Sequence, residues 1–223
     1  MTTAPDPGIA VALRDGSRVL VRPVRPDDRE LLLDGFERLG PESRYQRFLA
    51  PMAALTEEDI TYLTEVDHHD HEALAAIDEE SGDGVGVARF IRCADRSDTA
   101  EAAVTVIDDW QGRGVGTALL DLLAARARTE GVVRFTALLL AENRDMLEVL
   151  EAIGPLHVVD RQSGTIEIEA ELPPNGAGSH LRGVLGQAAR ASASSSSRKP
   201  SASACGSETS PASVRKPTVT FPA

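Results

Sequence analysis

The spacing of apolar residues along the chain alternates between a strand period and a helix period. Runs typical of strands cover residues 17–24, 72–78, 85–93, 100–108 and 133–140, and a final pair of strands flanks the turn at 162–164. Helical spacing covers 27–39, 114–130 and 142–153. A second helical region ends near Val66, with Thr56 as its N-cap and an acidic first turn at residues 57–59. The predicted order is therefore βααβββαβαββ.

This order predicts a mixed α/β fold with a strand-helix-strand unit in its second half. The chain has 223 residues, which suits one domain of ordinary size with an extension. We expect an N-terminal extension over 1–16, a folded domain over 17–172 and a tail over 173–223. The tail is rich in Ser, Ala and Pro and poor in large apolar residues, so we expect it to be disordered.

Charge and cysteine content exclude several classes of function. The chain carries 23 Lys+Arg against 35 Asp+Glu, a net charge of −12, which has the wrong sign for binding nucleic acid or an anionic membrane. A small molecule or a protein partner is expected instead. Cys93 and Cys205 form neither a disulfide framework nor a metal spacing, and no secretion signal or long apolar span is present, which predicts a cytoplasmic protein.

The stretch DWQGRGVGT at residues 109–117 carries the clearest chemical signal. It follows a predicted strand and opens a predicted helix, so free N–H groups and the positive end of the helix dipole face out of a glycine-rich loop. Such a loop suits a phosphate. A nucleotide-triphosphate loop would need a lysine after the last glycine, and a dinucleotide fingerprint would need Gly-x-Gly-x-x-Gly; neither is present.

The segment 111–116, Gln-Gly-Arg-Gly-Val-Gly, resembles the Gln/Arg-x-x-Gly-x-Gly/Ala signature of the GNAT N-acetyltransferase superfamily, and the order of elements is similar to that fold. The resemblance covers about residues 17–172 and implies acetyl-CoA as co-substrate, with no metal. It implies a pyrophosphate on the loop amides and a pantetheine arm running beside the preceding strand like an added strand. The implied cofactor-binding residues are Val104, Thr105, Val106, Gln111, Gly112, Arg113, Gly114, Val115, Gly116, Thr117 and Asn143.

Three further segments resemble the bacterial protein-lysine acetyltransferase subgroup. They read SRYQRF at 43–48, VDHHDHEALAAI at 66–77 and AENRDML at 141–147. The resemblance implies transfer to an amine, with a protein lysine as one such acceptor. Arg44, Tyr45 and Phe48 are candidates for the wall of the acceptor site, although an ordinary amphipathic helix explains them equally well.

Acylation of an amine needs a base, because a lysine amine is almost wholly protonated at neutral pH. Glu101 heads the strand before the glycine loop in a run of small apolar residues, where desolvation would raise its pKa. The resemblance also implies a catalytic glutamate at this position. The alternative is a solvated charge at a strand end, in which case His71, Glu72 or a water would have to act as the base.

One departure from the family pattern concerns the general acid. The tyrosine that many members place seven residues after the motif asparagine is here Leu150. A thiolate can leave unassisted, so activity survives this loss in principle. The absence of the tyrosine nevertheless supports one alternative to an enzyme, an acyl-CoA-binding sensor without turnover. A third hypothesis, a purely structural interaction module, predicts no CoA binding at all.

The cluster Asp67, His68, His69, Asp70 and His71 has the residue types of a metal site. Neighbouring loop residues rarely converge on one ion without a distant further ligand, and the stretch also matches a helix-to-strand connection of the subgroup. We therefore expect no metal here.

Overall fold

A mixed eight-stranded sheet forms the centre of the protein in a computed structural model that describes residues 7–174. The strands are β1 (Ile9–Ala12), β2 (Arg18–Pro23), β3 (His71–Asp78), β4 (Gly84–Cys93), β5 (Arg96–Val106), β6 (Arg134–Leu140), β7 (Leu156–Gln162) and β8 (Thr165–Glu171). The α-helices are α1 (Arg29–Glu37), α2 (Pro41–Phe48), α3 (Glu57–Thr64), α4 (Val115–Thr129) and α5 (Arg144–Glu151).

The strands lie in the order β1-β2-β3-β4-β5-β6-β8-β7. Strands β5 and β6 are parallel and are connected through α4, whereas the other neighbours pair antiparallel. This is the strand-helix-strand unit that the sequence predicts, and the mixed α/β class is confirmed.

The structure has two elements that the predicted order βααβββαβαββ lacks. Strand β1 pairs with β2 inside the stretch expected to be an extension. The second predicted helical region is two helices, because Leu49 adopts a left-handed conformation (φ 53°) that ends α2. Helix α3 then begins at the predicted N-cap Thr56, which is confirmed and forms a capping box with Asp59. Neither β1 nor the end of α2 carries a strong periodic signal.

Helix α4 supplies much of the apolar core. Its apolar stripe of Val115, Leu119, Leu122 and Leu123 is buried, and the helix packs against β3, β4 and β5. Each such side chain contributes about 1.5–3 kcal/mol to stability by leaving water. The N-terminus of α4 is thereby held beside the end of β5, where the glycine loop connects them.

No helix within residues 7–174 is long and apolar enough to cross a membrane. Cys93 lies buried at the end of β4 as a free thiol. The predicted tail over 173–223, with Cys205, lies outside the described residues from position 175 onward.

Candidate active site

A cleft opens in the sheet where β5 and β6 separate. The two strands pair only from Thr99 opposite Arg134 to Glu101 opposite Thr136. Beyond Glu101, β5 pairs only with β4, and β6 continues beside β8. The resulting cleft has a volume of about 840 Å³. Because no strand lies beside β5 over residues 102–106 on this side, a backbone edge faces the cleft.

The glycine loop lies along the same cleft, and its three glycines have different reasons to be there. Gly112 (φ 73°) and Gly114 (φ 98°) adopt left-handed conformations that a side chain would strain. Gly116 does not, and a Cβ added there would meet only ordinary contacts, the nearest at 3.7 Å from Val106. Neither the backbone conformation nor the surrounding packing requires a glycine at position 116. Because Gly116 lines the cleft, the lack of a side chain there leaves space at the first turn of α4.

The side chain of Gln111 holds this loop in place through hydrogen bonds. Its Nε2 donates to the carbonyl oxygen of Val106 at 3.0 Å and to Ser43 Oγ at 3.2 Å. Asp108 also accepts from Ser43 Oγ at 2.7 Å and from the Gly40 N–H at 3.1 Å. These bonds tie the end of β5 and the glycine loop to the start of α2.

Most predicted cofactor residues line the cleft together. They are Val104, Thr105, Val106, Gln111, Gly112, Gly114, Val115, Gly116, Thr117 and Asn143. Arg113 does not line it. Its guanidinium lies 4.7 Å from the centre of the Trp110 ring and 3.4 Å from Asp15 Oδ2, whereas Arg14, from the turn between β1 and β2, lines the cleft beside the loop.

Glu101 also lines this cleft, at the point where β5 and β6 part. Its side chain is half-buried, and within residues 7–174 its carboxylate has no hydrogen-bond partner. Burial raises the pKa of Glu101, the nearby Arg47 cation lowers it, and the Glu167 carboxylate raises it further; the net shift is upward. A carboxylate with a raised pKa and no internal partner is suited to accept a proton.

Two arginines line the same cleft as Glu101. Arg89 is almost fully buried and donates to the Leu63 carbonyl oxygen at 3.1 Å and to His71 Nε2 at 3.0 Å. Burial lowers the pKa of Arg89 to about 9, so its guanidinium remains charged at neutral pH. Arg47 lines the same cleft, and burial lowers its pKa while Glu101 raises it.

His71 is held neutral by these surroundings. Burial and the neighbouring Arg89 cation lower the pKa of His71 to about 4. Because Arg89 can only donate, His71 Nε2 accepts and the ring proton lies on Nδ1. His71 therefore has its acceptor nitrogen engaged and is a poor substitute for Glu101 as the base.

The three residues predicted to form the wall of the acceptor site do not all lie in the cleft. Phe48 lines the cleft, but Arg44 and Tyr45 do not. Arg44 Nε donates to the Leu39 carbonyl oxygen at 2.9 Å, and its guanidinium lies 4.2 Å from the centre of the Phe36 ring, so it joins α1 to α2. The arginine of this helix that does face the cleft is Arg47, one turn further along.

Asn143 lies where α5 begins and borders the cleft. It is the N-cap of α5, with its Oδ1 accepting from the Met146 N–H at 3.1 Å, and it also lines the cleft. The bond through Oδ1 leaves the amide nitrogen for a ligand. Leu150, at the position of the absent tyrosine, is buried in the core.

The candidate metal cluster does not converge on one point. His68 Nδ1 bonds Glu72 Oε1 at 2.7 Å, His69 Nδ1 bonds Glu130 Oε2 at 2.6 Å, and His71 bonds Arg89. No group of three or more candidate ligands is positioned to hold an ion within the described part of the chain. Glu72 is fully buried and also accepts from Arg126 Nε at 3.0 Å, so it is not available as the base.

Sequence patterns missed several residues that line the cleft. These are Arg14, Tyr62, Arg89 and Glu167. A signal existed for Arg89, a charge inside an otherwise apolar strand, because buried charges are rare without a specific role. The others come from separate elements, and no local spacing joins them.

Known proteins match both the sequence and the fold. The Acetyltransferase (GNAT) domain family matches residues 18–155. The chain is 36% identical to acetyltransferase Pat of Mycolicibacterium smegmatis over 169 residues, which is 74% of this chain and 49% of that protein. The crystal structure of the GNAT domain of S. lividans PAT is 36% identical, with a TM-score of 0.68, over 74% of this chain and 96% of that one.

A more distant structure shares the fold. The putative acetyltransferase yncA from Salmonella typhimurium, solved with its cofactor acetyl-CoA, is 18% identical with a TM-score of 0.55, over 70% of this chain and 94% of that one. Fold, cleft and family match together define a GNAT domain. The chain belongs to the GNAT acetyltransferase family. It spans about half the length of the M. smegmatis relative.

Proposed function

We propose that this protein transfers the acetyl group of acetyl-CoA to an amine, with a protein lysine as one such acceptor and Glu101 as the general base. The observation that carries the proposal is that Glu101, half-buried and without an internal hydrogen-bond partner in residues 7–174, lines the same cleft as the glycine loop. A base and a loop suited to bind phosphate, lying in one cleft, suit a reaction between a CoA thioester and an amine.

The cleft has the features that the cofactor requires. The first N–H groups of α4 have no partner within the helix, and the positive end of its dipole favours an anion such as the pyrophosphate. Gly116 leaves room for close approach. The unpaired edge of β5 at Val104 and Val106 can bond the amides of the pantetheine arm, and the fold neighbour yncA was solved with acetyl-CoA.

The chemistry follows from these positions. Glu101 removes a proton from the ammonium form of the acceptor, directly or through a water, and leaves a neutral amine. The amine nitrogen attacks the thioester carbonyl carbon, so a C–N bond forms and the C–S bond breaks. The sulfur leaves as thiolate and then takes up, directly or through solvent, the proton that the attacking nitrogen releases, so the products are the amide and the CoA thiol. With a thiol pKa near 8.5 the sulfur can leave without an acid at the position of Leu150.

The charge of the cleft favours a cationic acceptor at one side. Glu167 and Asp160 line it together with Glu101, and carboxylates attract an incoming ammonium group. This supports a lysine side chain among the possible amines. A cytoplasmic location remains a prediction from the sequence.

Two measurements test the proposal. Acetyl-CoA at about 100 times its Kd should raise the stability of the protein by roughly 2.7 kcal/mol, seen as a thermal shift. Thiol release with acetyl-CoA should then depend on an added amine, screened with lysine peptides and small amines. Binding without thiol release would favour the acyl-CoA sensor, which the buried Leu150 supports. Absence of binding would refute both.

A further inference from the structure

The turn between β1 and β2 is rigid and lies outside the stretch that matches the family. It covers residues 13–17, whereas the family match begins at residue 18. The Leu13 N–H donates to the Ser17 carbonyl oxygen at 2.8 Å, and Asp15 Oδ1 accepts from the Ser17 N–H at 3.0 Å. Gly16 supplies the left-handed conformation at φ 89° that closes the turn.

This turn is attached to the glycine loop by its own backbone and side chains. The Arg14 N–H donates to the Arg113 carbonyl oxygen at 3.3 Å, and Asp15 Oδ2 lies 3.4 Å from the Arg113 guanidinium. The Arg14 side chain passes over Gly114, with its Cγ 3.7 Å from the place where a Cβ of Gly114 would stand. The position of Arg14 relative to the loop is therefore fixed.

The two arginines at this junction have opposite orientations. Arg113 belongs to the loop but stacks on Trp110 and pairs with Asp15, away from the cleft. Arg14 lines the cleft, is exposed, and its guanidinium makes no hydrogen bond or ion pair within residues 7–174. The cation available to a ligand at the glycine loop thus comes from the β1–β2 turn.

We infer that Arg14 binds a phosphate group of CoA and makes the β1–β2 turn part of the cofactor site. This inference rests on the proposed function, because it assumes that CoA occupies the cleft. The chain has a net charge of −12, so a polyanionic ligand meets general repulsion, and a local cation at the phosphate cradle offsets it. A guanidinium also matches the geometry of phosphate oxygens.

The test compares CoA affinities of Arg14→Leu, Arg14→Lys and the intact protein by calorimetry. Arg14→Leu should weaken CoA binding by about tenfold, and Arg14→Lys by less, since it keeps the charge but loses the fork. The matched control is Arg18→Leu, four residues on; Arg18 pairs with Glu79 at 2.7 Å outside the cleft, and its loss should leave CoA affinity unchanged. Melting temperatures without ligand should agree between Arg14→Leu and the intact protein.

Dephospho-CoA separates the two possible phosphate groups. If the effect of Arg14→Leu disappears with dephospho-CoA, Arg14 binds the 3′-phosphate; if it persists, Arg14 binds the pyrophosphate. Acetyl-pantetheine, which has no phosphate, should be turned over equally by Arg14→Leu and by the intact protein. A change of less than twofold in CoA affinity, or an equal loss with acetyl-pantetheine, overturns the inference. If the intact protein binds no CoA at all, the proposed function itself has failed.

Discussion

Glu101 stands opposite Thr136 at the last register in which the parallel strands β5 and β6 pair. One residue further along, β5 and β6 no longer pair, so the carboxylate lies where the cleft begins. The same strand leads to the glycine loop ten residues later. A single continuous segment thus connects the candidate base to the candidate cofactor cradle, and a shift of one residue in β5 would turn Glu101 to the other face of the sheet.

Replacing Glu101 by Gln should separate binding from chemistry. The amide keeps the size of the side chain but cannot take the proton, so acetyl-CoA affinity should be unchanged and turnover should fall by about 10²- to 10⁴-fold. The loss should shrink as pH rises toward the pKa of the amine, because solvent then deprotonates more acceptor. Calorimetry measures the affinity for acetyl-CoA, and steady-state rates measure turnover. Glu171→Gln, at the exposed end of β8, is the control; turnover of Glu101→Gln within a few-fold of the control would remove Glu101 as base.

Arg47 should set the pH range of activity. Its cation lowers the pKa of Glu101, against the larger upward effect of burial. Arg47→Met should therefore raise that pKa and move the acidic limb of the kcat/KM profile to higher pH, since the base form is populated only above its pKa. Arg47→Lys keeps the charge and should leave the limb near its original position. A limb that moves equally in both variants would show that Arg47 acts by packing.

A substitution at Gly116 should show whether acetyl-CoA occupies the cleft, without disturbing the fold. A Cβ at this position meets only ordinary contacts in the free protein, and Gly116 borders the open cleft, so Gly116→Glu should keep its melting temperature within a few degrees. The added bulk and negative charge at the N-terminus of α4 should abolish the thermal shift produced by acetyl-CoA. Gly116→Ala, with one methyl group, is the graded control and should retain most of the shift. An undiminished shift in Gly116→Glu would place the ligand elsewhere.

His71 should make stability depend on pH in a defined window. Its pKa is lowered from 6.5 to about 4 in the folded state, so the unfolded chain binds more protons between these values. Stability should therefore fall as pH drops from about 6.5 toward 4, with a contribution on the order of 2 kcal/mol. His71→Gln keeps an acceptor for Arg89 and should flatten this part of the curve in urea unfolding. Parallel curves for the two proteins would contradict the prediction.

Much of the fold could be predicted from periodicity because those signals are local. The stripe of Val115, Leu119 and Leu123 predicts α4, and the run before it predicts β5. The break between α2 and α3 and the short strand β1 were missed, since a four-residue strand and a single left-handed residue at Leu49 leave almost no periodic trace. Strand β1 is defined by its pairing with β2 in a short hairpin, and the end of α2 is defined by a single backbone conformation.

The glycine loop, Glu101 and the strand between them lie within seventeen consecutive residues, so spacing alone could bring them together in one prediction. The orientation of side chains could not be derived in this way: Arg113, inside the motif, points away from the cleft, and Arg14, nearly a hundred residues earlier, points into it. The same holds for Arg47, Arg89 and Glu167, which reach the cleft from α2, β4 and β8. Local residue patterns encode period and turn chemistry, but the order of strands in a sheet depends on long-range pairing. Only that pairing brings these charges into the cleft that Glu101 lines.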